Sequence, residues 1–238
     1  MSSLETRGLQ VKIGKIVNAS SHINYVCQIY GPLEIETPPD VAQHAFGRFV
    51  RVAVPSRPSG LSQSGEQAVL EYPTCYTVGV IYDTQLLNPA FGSLGPRLSN
   101  EVQVEVFSPD YVSEKAVLVH VMMLGSVEYQ RCSSGSFKSL VVHGIPSFPL
   151  DLNSSVETMT DEDVYQFHLF HDQGDAENQD KYLHLGYLPH LLTQQNSLIP
   201  LVILRIIDQL EQLFPQHRTL LSILKRNFAW RLKVETTG

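Results

Sequence analysis

Four histidines and several carboxylates crowd one stretch of the chain: His168, His171, His184 and His190, with Asp161, Asp163 and Asp172 among them. Imidazole and carboxylate are ordinary ligands of zinc, and the three-residue spacing of His168 and His171 puts both rings on one face of a predicted helix. A metal-dependent enzyme built on His168, His171 and His184 is therefore one way to read these residues. No HExxH and no paired-cysteine motif accompanies the cluster, however. The plainer alternative has Tyr165, Phe167 and Phe170 making core contacts while the histidines sit at the rim. The balance favours the plainer alternative, with no metal site and no cofactor expected.

Other catalytic signatures fail on spacing. "GLQVKIGKI" approaches a phosphate-binding loop, but five residues separate Gly8 from Gly14 where four are required. Ile16 also stands where a magnesium-binding Ser or Thr is needed. Lys15 is expected within a first strand instead. GxGxxG and GxSxG are both absent, so dinucleotide binding and serine hydrolysis lose their usual signatures. The acidic run lacks the DxDxDG order of a calcium loop. No small-molecule substrate is identifiable.

The elements that would position such residues change character along the chain. "VKIGKIVN" (11–18), "YVCQIY" (25–30), "FVRVAV" (49–54), "YTVGVIYD" (76–83), "VQVEVF" (102–107) and "AVLVHVMML" (116–124) read as strands. Turn-rich connections at 55–67 and 88–100 read as surface loops. Several short strands favour a closed barrel or a sandwich, because closure removes exposed edges. After 143–155 the period becomes helical. Thr160 and Asp163 form a capping box before "DEDVYQFHLFHD", a helix runs from near Ser197 to Phe214, and Pro215 separates it from a last helix over 216–233. The expected fold is a mainly β, small closed barrel at the N-terminus followed by an α-helical C-terminal region, α+β overall. The domain division is 1–145 for the barrel and 146–238 for an acidic linker helix and a helical hairpin.

Charge is unevenly placed. Of a net −7, residues 151–180 hold nine acids and no Lys or Arg, while residues 216–234 hold five Lys or Arg and no acid. The last helix carries Leu221, Leu224, Phe228 and Leu232 as one apolar stripe, with Trp230 nearby, and this set is the candidate protein interface. Lys225, Arg226, Arg231 and Lys233 on the same helix make a nucleic-acid-binding accessory factor the rival expectation. Three cysteines without CxxC spacing argue against a disulfide framework, and "MSSLETRGLQ" does not read as a signal peptide. Arg205 and Asp208 break the most apolar segment, so no membrane span is expected. These features fit a cytoplasmic protein.

The order of phrases carries a resemblance. "IGKIVNAS", "GRFVRVAV", "YTVGVIYD", "VEVFSPDYV" and "VHVMMLGSVE" together resemble the HAS-barrel, the small barrel of HerA-type DNA translocases and of the N-terminal region of ATP synthase catalytic subunits. "GIPSFPLDLNSSVETMTDEDVYQFH" and "LHLGYL" resemble the strip, acidic helix and lead-in that precede the translocase ATPase core. The likeness covers roughly residues 11–190. Where the GxxxxGK[ST] core should follow, the chain continues as "PHLLTQQNSLIPLVILRIIDQLEQLF". No catalytic residue is carried over. In those motors the barrel mediates ring assembly and partner docking, so the resemblance implies a non-catalytic assembly or adaptor module, self-associating or placed beside a separate ATPase.

Overall fold

Alternating and continuous apolar runs resolve into a closed six-stranded antiparallel barrel with helices against its flank. The computed structural model describes residues 10–32, 34–54, 75–87, 116–131, 137–170 and 182–237. Its strands are β1 (Lys12–Ala19), β2 (Asn24–Ile29), β3 (Phe49–Val54), β4 (Cys75–Leu87), β5 (Ala116–Arg131), β6 (Phe137–His143) and β7 (Ser155–Thr158). The sheet order is β2-β1-β7-β3-β4-β5-β6, and a further pairing of β2 with β5 closes the first six of these into a barrel. Tyr25↔Val121 and Cys27↔Val119 lie in that closing ladder. The strand expected at 102–107 and the loops expected at 55–67 and 88–100 lie outside the described residues.

Burial follows pattern. In β2, Tyr25, Cys27 and Ile29 are buried and the residues between them are not, as expected of a strand with one wet face. In β3 and β4, consecutive residues such as Val50–Val52 and Val78–Tyr82 are buried, because the helices cover the outer face there. β5 does more than the sequence suggested. One edge pairs with β4 over most of its length. The other edge pairs with β2 at Leu118–Met122 and then with β6 from Gly125 onward, so the sheet branches at residue 124–125. Gly125 suits that branch, since a Cβ there would lie 2.2 Å from the Val142 carbonyl oxygen.

Two expectations are corrected in detail. The stretch before residue 155 is more than a connection: it leads directly into β7, which pairs with both β1 and β3. The barrel thus takes a strand from beyond residue 145. The acidic helix, α1 (Asp161–His168), is shorter than its sequence suggested. It stops because Leu169 and Phe170 turn extended and pair, as β8 (Leu169–Phe170), with β9 (Tyr182–Leu183). Its capping box is present, with Asp163 N–H donating to Thr160 Oγ1 at 3.1 Å and Thr160 N–H donating to Asp163 at 2.9 Å.

Then come α2 (Leu188–Leu192), α3 (Ile199–Leu213), a 3-10 turn at Pro215–His217 and α4 (Arg218–Thr237). Helix α3 buries Ile199, Val202, Ile203, Ile206, Ile207 and Leu210, a 3–4 spacing that presents one apolar face. These join the barrel residues in a single buried cluster. The Gln209 side chain donates to the Gly47 carbonyl at 2.7 Å, and Tyr165 stacks on Phe214 at 4.6 Å, so the C-terminal end of α3 is tied to the barrel and to α1. Among the described residues, no helix is long and apolar enough to cross a membrane.

The glycine of the failed phosphate loop has a structural duty. Gly14 lies in β1, and a Cβ there would sit 2.1 Å from the Gln28 carbonyl oxygen and 2.7 Å from Cys27 Sγ. Both obstacles are inside the barrel wall, one of them backbone. Gly14→Ala is therefore expected to destabilise the fold by about 3 kcal/mol or more, near the upper end of overpacking costs. Urea unfolding followed by circular dichroism measures this, and a midpoint unchanged from the parent would contradict the packing described.

Candidate functional site

The histidine-rich stretch becomes a junction where β6, α1, β9 and α2 meet. The branch in β5 sends β6 away from the barrel, so its last residue, His143, reaches α1. His143 Nε2 lies 2.8 Å from the Phe167 carbonyl, which can only accept, so Nε2 carries the proton. Nδ1 then accepts from Gly186 N–H at 3.1 Å. His168 is fully buried and has the opposite tautomer: Nδ1–H donates to the Val164 carbonyl at 2.7 Å, and Nε2 accepts from the Tyr187 hydroxyl at 2.8 Å.

His184 stacks on His143 with ring centroids 4.3 Å apart and planes 10° from parallel, while its backbone N–H donates to the His168 carbonyl. His190 donates from Nε2 to the Met123 carbonyl at 2.9 Å, which pins α2 to β5. Gly186 leaves room for the stack, since a Cβ there would come within 2.9 Å of two His184 ring atoms and 3.1 Å of His143 Cβ.

Electrostatics agrees with the tautomers. Burial pushes His168 down to about 3 and His143 down to about 4; nearby imidazoles add to both shifts. His184 is lowered by burial, and the Tyr187 hydroxyl is pushed well above its ordinary value by the same cause. The rings of His143 and His168 are thus neutral at ordinary pH.

The metal reading does not find its geometry here. Both nitrogens of His168 are committed within the protein, His171 and Asp172 lie outside the described residues, and Asp163 is engaged in the helix cap. Among the described residues no group of three or more His, Cys, Asp or Glu could hold an ion. His143, which the sequence reading missed, proves central. It sits 25 residues before His168, at the end of an apolar strand, and only the β5 branch brings it here.

A second polar constellation stands on the barrel wall. Arg51 lies 4.3 Å above the Tyr76 ring and pairs with Glu157 at 3.3 Å and Asp163 at 3.8 Å. It also donates to the Gln10 side chain at 2.6 Å. The described ion pairs of the acidic segment therefore go to the barrel rather than to the basic helix. Beside Arg51 a cleft of about 130 Å³ opens between Tyr76, Tyr129, Val127, Val141 and Gln166. It is lined by the Arg51 guanidinium and the Asp163 carboxylate, 3.8 Å apart.

The C-terminal residues separate into two faces. Leu221 is fully buried, Leu224 and Phe228 pack half-buried against the core, and Leu232 is half-buried as well. Trp230 points outward and is 70% exposed. With it stand Leu220 and Ile223, 60% and 54% exposed, which sequence reasoning overlooked although their spacing was visible. Lys225 is bound by Asp208 and lies 3.9 Å from Glu211, both on α3, and the first pairing raises its ammonium above the ordinary lysine value. Arg226 is exposed. Arg231 and Lys233 lie on α4 with side chains outside the described set.

The junction titrates in a defined direction. A histidine whose folded value is depressed leaves stability intact above its unfolded value of 6.5, and stability is lost as pH falls from there through the folded value. For His143 the window runs from 6.5 to about 4, worth roughly 3 kcal/mol at about 1.4 kcal/mol per pH unit. Unfolding free energy measured from pH 7 to pH 4 should fall accordingly, and more gently in His143→Gln. Tyr187→Phe, which strips the buried His168 of its donor, should cost about 1–3 kcal/mol at pH 7. A flat profile from pH 7 to pH 4 would refute the neutral-ring assignment.

A family model described as a domain of unknown function, DUF8166, matches residues 2–237, and the chain belongs to that family. No curated protein matches it.

Proposed function

We propose that this member of the DUF8166 family is a non-catalytic assembly module of HAS-barrel type, which holds protein subunits together rather than transforming a substrate. One observation carries the reading. Helix α4 is apolar on two faces, and among the described residues one of them is packed: Leu221, Leu224 and Phe228 go inward, while Leu220, Ile223 and Trp230 are exposed. Three large apolar side chains left exposed on one face of a helix, with charge beside them, mark an interaction surface more often than an accident of composition.

Two further points support it. His168, at the centre of the suspected ligand set, is buried with both ring nitrogens hydrogen-bonded within the protein. The six-strand closure agrees with the barrel resemblance read from the strands, whose counterparts in the motors assemble rings. A second exposed apolar strip, Ile145, Phe148 and Leu152 between β6 and β7, gives the barrel end another contact surface. The module acts in the cytoplasm, beside a separate ATPase or another subunit of the same assembly.

Photo-crosslinking residues placed at positions 230 and 148 of the full chain, in its native cells, test the proposal. Protein adducts at either position, reduced by Ile223→Ser for position 230 or by Ile145→Ser for position 148, are expected. No adduct at either position, together with a monomeric mass in sedimentation of the native extract, would overturn it.

A further inference from the structure

We propose that the outward face of α4 docks an amphipathic helix of a partner protein whose apolar stripe is flanked by carboxylates. The proposal rests on the assembly function above and names the partner's chemistry. Its first ground is spacing. Leu220, Ile223, Asn227 and Trp230 follow one another at three, four and three residues, the interval at which one helix seats its knobs against another. Among the described residues of this helix, Leu220, Ile223 and Trp230 are the exposed large apolar side chains. An extended strand or a flat surface would not match that interval; a second helix does.

The second ground is charge. From residue 216 to 234 the chain has five Lys or Arg and no acid. Positions 226 and 231, one on each side of the stripe, are both arginine. A second copy of α4 laid on the same stripe would set arginine positions against arginine positions in either direction, which is the like-charge arrangement that disfavours pairing. Glutamates or aspartates on the flanks of a partner helix would instead meet Arg226, which is exposed and able to reach them.

Nucleic acid and lipid fit less well. Lys225 is already held by Asp208 and Glu211 of α3. That leaves Arg226 as the exposed basic residue described beside the stripe, whereas nucleic-acid affinity is built from several phosphate contacts. Polar Asn227 interrupts the stripe and weakens it as a membrane-inserting face, yet it can pair across a helix–helix seam and set its register.

The chain supplies its own reporter, because Trp230 is its one tryptophan and lies on the face in question. The probe is a synthetic amphipathic helix with leucines along one stripe and glutamates on both flanks, titrated into the full chain. A second peptide carries lysines in place of the glutamates. The glutamate peptide should shift Trp230 emission to the blue and bind saturably. Ile223→Ser or Arg226→Glu should weaken it about tenfold or more, and the lysine peptide should recover binding to Arg226→Glu.

Several outcomes would overturn the proposal: no shift with either peptide, equal binding of both, or a shift with added protein alone that tracks a doubled mass. So would a shift produced by phosphatidylserine vesicles or duplex DNA while the glutamate peptide gives none. If the peptides fail and the crosslinker at position 148 still captures a protein, the assembly function stands and only this partner assignment falls.

Discussion

The pairing of β2 with β5 is the constraint on which the rest of the molecule depends. Without the ladder Asn24–Gln28 to Leu118–Met122, the sheet would be open, with β2 presenting an unpaired edge and the barrel interior reached by water. With it, Cys27, Val119 and Val121 face a dry interior. The ladder occupies only the first part of β5. Because that strand continues past Gly125, its freed edge accepts β6, and β6 is thereby aimed at the helical layer. His143 meets Phe167 as a consequence of closure.

Polar groups then do what apolar packing cannot. Burial of an imidazole is costly unless both nitrogens are used, and in His143 and His168 both are. Each tautomer is set by a carbonyl on one side and a donor on the other. A ring slid by one residue would therefore lose a bond as well as a contact. Phenylalanine would fill the same volume with no such discrimination. Arg51 plays the matching part on the barrel wall, joining the N-terminal end of α1 to β7 through Asp163 and Glu157. The two sets fix α1 at both of its ends.

Much of this architecture was legible in the residues. Runs rich in Val, Ile and Tyr marked β2, β3 and β4, and Thr160 with Asp163 marked the start of α1, because these signals are local. What was not legible depends on contacts between distant segments. β7 is four residues long and earns its place by pairing with β1 and β3, which no local pattern announces. The end of α1 was misplaced because β8 competes for the backbone beyond His168 through a partner that lies past a long insertion. The histidines were read as a possible ligand set because helical spacing tells which face a ring is on, and nothing about which carbonyl or hydroxyl it will meet. His143 went unnoticed for the same reason.

The C-terminal helix shows how one sequence period can hide two surfaces. A stripe at Leu221, Leu224, Phe228 and Leu232 satisfies the usual expectation of one apolar face, and attention stops there. Leu220 and Ile223, each one position earlier, form with Trp230 a neighbouring stripe on the same cylinder. Folding decides between them through α3. Leu221 is drawn into the core, where full burial is worth about 1.5–3 kcal/mol. Lys225 is turned toward Asp208 and Glu211, a pairing too exposed to add much stability but placed to hold the rotation of the helix about its own axis. Once that rotation is set, the second stripe faces outward. The same contact that completes the hairpin therefore also presents the apolar face that the fold itself does not use.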